Sequence, residues 1–341
     1  MRRLLLFAFL LAVLAVGSAR AQEAPSPTVP LYDNLGPHGR VISTSVPMAQ
    51  RYFDQGMQLT YAFGRGDAVP SFRAAQQHDP DCAMCYWGEA WALGPYINEA
   101  MDSTAGVEAY QAIQQAKRLA GTARAHEQAL IEAMAARYAP IPTEENRAVL
   151  DSAYADALRD VVRRFPHDLD AGAFFGEAVM VLRPWDHWTA DGQPQPGTHE
   201  ALAILESVLA RDVKHPGACH LYIHLVEASP DPARAEVCAD HLGAAIPGAS
   251  HIQHMPSHIY MHIGRYGNSV RANQKAWLVD QQAAQGRAVG IYTGHNFHML
   301  LFAGWMDGQS AVALQAAEDL AKISSASAFY PVRLMPSMNK V

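Results

Sequence analysis

The amino-acid sequence predicts an all-α fold assembled from paired helices, and three observations carry that expectation. From about Met48 onward, apolar residues recur at helical spacing in Ala-rich amphipathic segments. No two alternating runs joined by a tight turn mark a hairpin or a sheet. Turn residues interrupt the pattern at Asp79-Pro80, Pro140-Ile141-Pro142, Phe165-Pro166, His215-Pro216 and Pro247-Gly248, several at intervals that fit helix–turn–helix units. A longer interruption, Arg183 to Gly197, holds Trp185-Asp186-His187-Trp188 and then Gly192, Pro194, Pro196 and Gly197, and reads as an extended loop. Half of the 341 residues are apolar, enough to bury a core without help from disulfides.

The elements follow in order. Arg2 and Arg3 precede the apolar run Leu4 to Val16, and Ser18-Ala19-Arg20-Ala21 puts small residues at the cleavage-determining positions. Residues 1–21 therefore read as a secretory signal peptide cut after Ala21. The run is too short to span a membrane, no later stretch approaches one, and no Cys follows the cut to carry a lipid. The expected location is the bacterial periplasm or the exterior. Residues 22–47, with their Pro, Gly and Ser, read as a linker; residues 48–325 carry the helix pairs. Residues 326–341 form an apolar, proline-containing tail with no polar face to cover the helix expected from Ser310 to Ser324. Without Arg2, Arg3 and Arg20, 23 basic residues face 33 acidic ones, a formal −10, which excludes nucleic-acid binding through bulk charge. No nucleophile elbow, phosphate loop or dinucleotide fingerprint is present. In an oxidising space Cys82–Cys85 and Cys219–Cys238 bridges are open to the chain, the alternative being small buried side chains. Cys82-x-x-Cys85 lacks the strand–helix context of a thioredoxin-like redox pair.

The helix pairs have a recognisable register. Counting one unit from Ala49 puts Gly56 at position 8, Ala68 at 20, Phe72 at 24, Ala75 at 27 and Pro80 at 32. In this the chain resembles the tetratricopeptide repeat (TPR), a 34-residue helix pair, with later units less regular than the first. The phrases Tyr52-Phe53-Asp54-Gln55-Gly56, Cys82-Ala83-Met84-Cys85-Tyr86-Trp87-Gly88 and His254-Met255-Pro256-Ser257-His258-Ile259-Tyr260 resemble an exported bacterial family of such repeats, mostly without assigned activities. The resemblance covers about residues 45 to 325. It implies a right-handed superhelical solenoid of about seven helix pairs, and says little about function.

Chemistry is concentrated late in the chain. Nine of the sixteen histidines fall between His220 and His298, and eight of them form three groups. These are His220 and His224 with Glu227; His251, His254, His258 and His262; and His295 and His298. Residues three and four apart share a helix face, and imidazole is the commonest ligand for transition metals. In the repeat register, the first helix of each unit lines the concave face through positions 2, 5, 9, 12 and 13. All eight histidines and Glu227 land on those positions in three consecutive units. A histidine-rich metal site in the concave groove is the expectation, with His220, His224, His254, His258, His295 and His298 as ligands. His251 and His262 are further metal or substrate contacts. Glu227 is a ligand, an orienting partner for a histidine, or a catalytic general base. Pro256 either begins a helix or kinks one, which sets His251 and His254 apart from the regular stripe.

Nitrogen donors suit copper, zinc and iron, and the affinity order favours copper. Eight imidazoles exceed the needs of one ion, so a second ion or substrate-contacting histidines fit the count. The same register puts Phe53, Trp87 and Trp91 on the groove wall, a setting for a small molecule or peptide. The reading is an exported metalloprotein, a metal-dependent oxidase or hydrolase if it is an enzyme. The competing reading is a periplasmic scaffold that docks a protein or peptide without catalysis.

Overall fold

The computed structural model describes residues 29–101 and 103–326. Residues 1–28, which include the expected signal peptide, and residues 327–341 of the tail lie outside the described residues. Among these the chain is all-helical, with only isolated bridges in place of strands. The helices are α1 (Pro47–Tyr61), α2 (Arg65–His78), α3 (Ala83–Leu93), α4 (Ser103–Leu119), α5 (Ala125–Ala135), α6 (Glu144–Arg164), α7 (Leu169–Val181) and α8 (Thr198–Leu209). They continue with α9 (Pro216–Val226), α10 (Glu236–Ala245), α11 (Ser250–His254), α12 (Pro256–His262), α13 (Tyr266–Ala283), α14 (Thr293–Met306) and α15 (Ser310–Ala326). None is long and apolar enough to cross a membrane.

Most helices pack chiefly on the next, while α10 and α11 pack more on the next but one. The register of the first unit explains how. Phe72 of α2 lies between Gly56 of α1 and Gly88 of α3, where an added Cβ would come within 2.8 and 2.3 Å of its ring. Only glycine leaves room for the aromatic that joins three helices. α1 also meets α9, through Tyr61 lying against Gly217. That contact brings the first unit onto the first histidine helix.

Phe53, Trp87 and Trp91, expected to line a groove, are 0–1% exposed. Phe53 packs on Phe72, and both tryptophans pack on Phe174 of α7. Their indole N–H groups donate to Leu130 O and Glu177 Oε2. The expectation treated the inner face of α1 and α3 as open, but α7 and α9 fill it, so these rings belong to the core.

Residues 31–46 are a packed strap rather than a free linker. Leu35 and Ile42 are buried, Arg40 forms a two-pronged ion pair with Asp168, and Ser43 N donates to Glu127 Oε1 at 2.8 Å. Cys82–Cys85 and Cys219–Cys238 are both joined as disulfides, the second tying α9 to α10. A smaller core of Val270, Phe297, Leu300, Ala303 and Ala316 holds α13, α14 and α15 together.

Candidate metal centre

Three short stretches of helix deliver the imidazoles. α9 begins at Pro216, whose missing N–H is no loss in the first turn, and His215 caps it by accepting from Ala218 N. From there His220 and His224 project on one face. Between α11 and α12, Met255 keeps helical angles (φ −51°, ψ −38°), while Pro256 removes one N–H from the ladder. His254 and His258 thus stay one turn apart across a proline joint. α14 supplies His295 in its first turn.

The histidines form two trios. His220, His224 and His251 present one ring nitrogen each within 4.8 Å of one another, and so do His254, His258 and His295. We call the first trio inner, since all three are buried, and the second outer, since His258 and His295 are half-buried. Within them His220 Nε2 lies 3.1 Å from His251 Nε2, and His254 Nε2 lies 2.9 Å from His258 Nε2. Nitrogens bound tetrahedrally to one ion at ~2.0–2.1 Å would be roughly 3.3 Å apart.

The opposite ring nitrogens fix the tautomers. His220 Nδ1–H donates to Tyr61 O at 2.6 Å, and His254 Nδ1–H to Asn273 Oδ1 at 2.7 Å. Asn273 is itself oriented, since its amide nitrogen donates to Ser269 O at 2.9 Å. Glu227 serves both trios: Oε1 accepts from His224 Nδ1 at 2.9 Å and Oε2 from His258 Nδ1 at 2.6 Å. The Nε2 atoms of these four histidines are left as acceptors, and those of His220, His254 and His258 lie within 3.1 Å of another imidazole nitrogen. Partners of this kind orient ligand histidines in metal sites.

The electrostatics agree. Burial, reinforced by neighbouring imidazoles, holds His220, His251 and His254 well below the ordinary imidazole range, and His295 at about 3. Burial also lowers His224, against the pull of Glu227. Burial alone would raise Glu227, but attraction to His258 and the bonds from His224 and His258 keep its carboxyl well below the usual range. A carboxylate with each oxygen accepting from an imidazole is placed to orient both rings.

Three residues outside glycine adopt the left-handed conformation among the described residues: Phe63 (φ 62°), Trp185 (φ 60°) and Tyr292 (φ 56°). All three rings lie on the histidines. Phe63 contacts His220, His224 and His251, Trp185 stands edge-on to His224 at 5.2 Å, and Tyr292 edge-on to His251 at 5.1 Å. Each such residue costs of order 1–2 kcal/mol. Concentrating that strain on one cluster is how functional sites differ from ordinary core.

The expected ligands thus divide. His220, His224, His254, His258 and His295 come together in the trios. His251, expected as a further contact, completes the inner one. His298 is half-buried and joins neither trio. His262 is exposed at the end of α12. Sequence reasoning missed Phe63, Trp185, Tyr292, Tyr61 and Asn273, whose roles follow from contacts distant along the chain. A third group, His38, Asp170 and His215, also falls within 4.8 Å. There Asp170 Oδ1 meets His38 Nε2 and His215 Nε2 at 3.1 Å and Tyr61 OH at 2.8 Å, and Oδ2 faces Arg40. A carboxylate already engaged with these four groups is a hydrogen-bonding hub, not a cation site. The chain matches no protein-family model and no curated protein.

Proposed function

We propose that this is an exported, TPR-like metalloprotein whose two histidine trios each hold a transition-metal ion, and that it is an oxidase acting at the outer trio. The observation that carries the reading is the pair His254 Nε2 and His258 Nε2, 2.9 Å apart with both Nδ1–H groups committed to acceptors. Two facing lone pairs repel unless a cation lies between them. In the metal-free chain an Nε2–H of His258, backed by Glu227, can donate to His254 Nε2; a metal ion bound by all three rings takes the place of that proton.

Neutral nitrogen donors with no carboxylate among them favour copper, ahead of zinc or iron. Such an ion supplies electron transfer and a binding position for a small oxidant or substrate. The chain's own residues do the rest. Glu227 and Asn273 orient the imidazoles, Phe63 and Tyr292 cover the inner trio, and His258 and His295, a little less buried than the inner three, set the outer trio nearer the surface. Oxidation is preferred over hydrolysis because both oxygens of Glu227 are occupied and no second carboxylate faces the trios. The burial of His220, His251 and His254 supports an ion site over a scaffold for a protein partner.

Elemental analysis of chain exported and purified without an affinity tag tests this. About two ions per chain are expected from three-nitrogen donor sets. The ions should raise the melting temperature, since they bind the folded chain alone. His258→Ala should lose the outer ion and its share of that rise. Absence of stoichiometric metal after incubation with copper, zinc and iron salts would falsify the reading.

A further inference from the structure

The long loop between α7 and α8 carries a histidine that the two trios leave unused. His187 is 7% exposed, and its Nε2 is buried without a hydrogen-bond partner. Among the described residues only two other imidazoles share that condition, His224 at Nε2 and His251 at Nδ1, and both belong to the inner trio. The loop is fastened beside that trio on either side of His187. Trp185, two residues earlier, lies on the His224 ring, and Trp188 Nε1, one residue later, donates to Leu225 O at 2.7 Å. The His187 carbonyl accepts from Gln195 N at 2.8 Å and from the Thr198 hydroxyl at 2.7 Å. The backbone is thereby pinned, while the unpartnered Nε2 forgoes no hydrogen bond if the ring turns. His187 lies outside the 4.8 Å group, so to act with the trio its ring must turn toward it.

We propose that His187 is the fourth ligand of the inner ion, which makes the two ions different in kind. The inference rests on the metal reading above. With four imidazoles the inner site is closed, as in sites that hold an ion permanently, whereas the outer trio keeps a position open. No unpartnered buried imidazole stands beside the outer trio among the described residues.

The test loads the full chain with cupric ion alone and follows its removal by a strong chelator. Wild-type chain should release one ion quickly and one slowly. Loss even of a group that merely orients a ligand costs about 10–100-fold in affinity, so His187→Ala should speed the slow release by at least about 10-fold. The fast release should be unchanged, which also shows that the variant is folded. X-ray absorption should report the mean nitrogen count per ion falling from about 3.5 to about 3. His187→Gln, which preserves volume in the loop, should behave like His187→Ala. Two bound ions with the slow release retained in either variant overturn the proposal while leaving the metal reading intact. A wild-type chain that binds no copper overturns both.

Discussion

Glu227 sets the chemistry of the centre at the scale of single residues, because one carboxylate accepts from an imidazole of each trio. Glu227→Gln keeps the shape but offers one oxygen and one N–H₂ group. One of the two histidines must then give up its Nδ1–H and move its proton to the nitrogen that faces the trio. Metal affinity should fall about 10–100-fold, with little change in the melting temperature of the metal-free chain relative to that loss. Competition against a colorimetric chelator measures it; equal affinity in the variant would show that Glu227 orients neither trio. At this scale the sequence was most informative about donors and least about their partners. Spacing alone grouped His220 with His224 and His254 with His258. It was silent on Tyr61 and Asn273, since nothing in a one-dimensional pattern connects residue 61 to residue 220. Glu227 was recognised as part of the group, but only the two imidazoles on its oxygens decide between orienting partner and base.

Among elements, α9 has the largest number of ties. It is capped by His215, joined to α10 by Cys219–Cys238, and pressed on by α1 at Gly217. Closing a loop of sequence separation 19 removes more disorder from the unfolded chain than closing one of separation 3. Replacing both Cys219 and Cys238 by Ala should therefore cost about 3 kcal/mol, against about 2 kcal/mol for Cys82 and Cys85. Urea unfolding of the two double variants ranks them, and the reverse order would mean that α9 is held by packing alone. The helical character of the chain and its principal breaks were legible, as was the loop after α7, from its glycines and prolines. The exposed face of α3 was not. Trp87 and Trp91 sit at the spacing expected of a groove wall, yet Phe174 of α7, which packs on both, lies more than eighty residues away. Periodicity reports which residues share a face; it does not report what lies against that face.

For the molecule as a whole, the buried imidazoles impose a pH dependence on the metal-free chain. Six of them, His187, His220, His224, His251, His254 and His295, are held below the ordinary value of 6.5, His187 at about 4. The unfolded chain takes up protons below pH 6.5 that the folded chain refuses. This stabilisation is present above that pH and lost as it falls toward the folded values. Asp54 and Asp280, pushed up to about 6 by burial, act in the opposite direction between 3.8 and 6. They are outnumbered. The melting temperature in chelator should fall steadily from pH 7.5 to pH 5, and metal should flatten the curve by competing with the protons. A metal-free chain that melts higher at pH 5 than at pH 7.5 would contradict the assignment of these imidazoles as neutral in the fold.

The bond between Cys219 and Cys238 has a consequence for the order in which the protein matures. Cys219 immediately precedes His220, so the same turn of α9 carries a redox-dependent tether and an ion-binding nitrogen. Where thiols stay reduced, that turn is untethered and the inner trio is not yet braced. If the inner trio holds an ion as proposed, closing this bond braces the helix turn that carries one of its ligands.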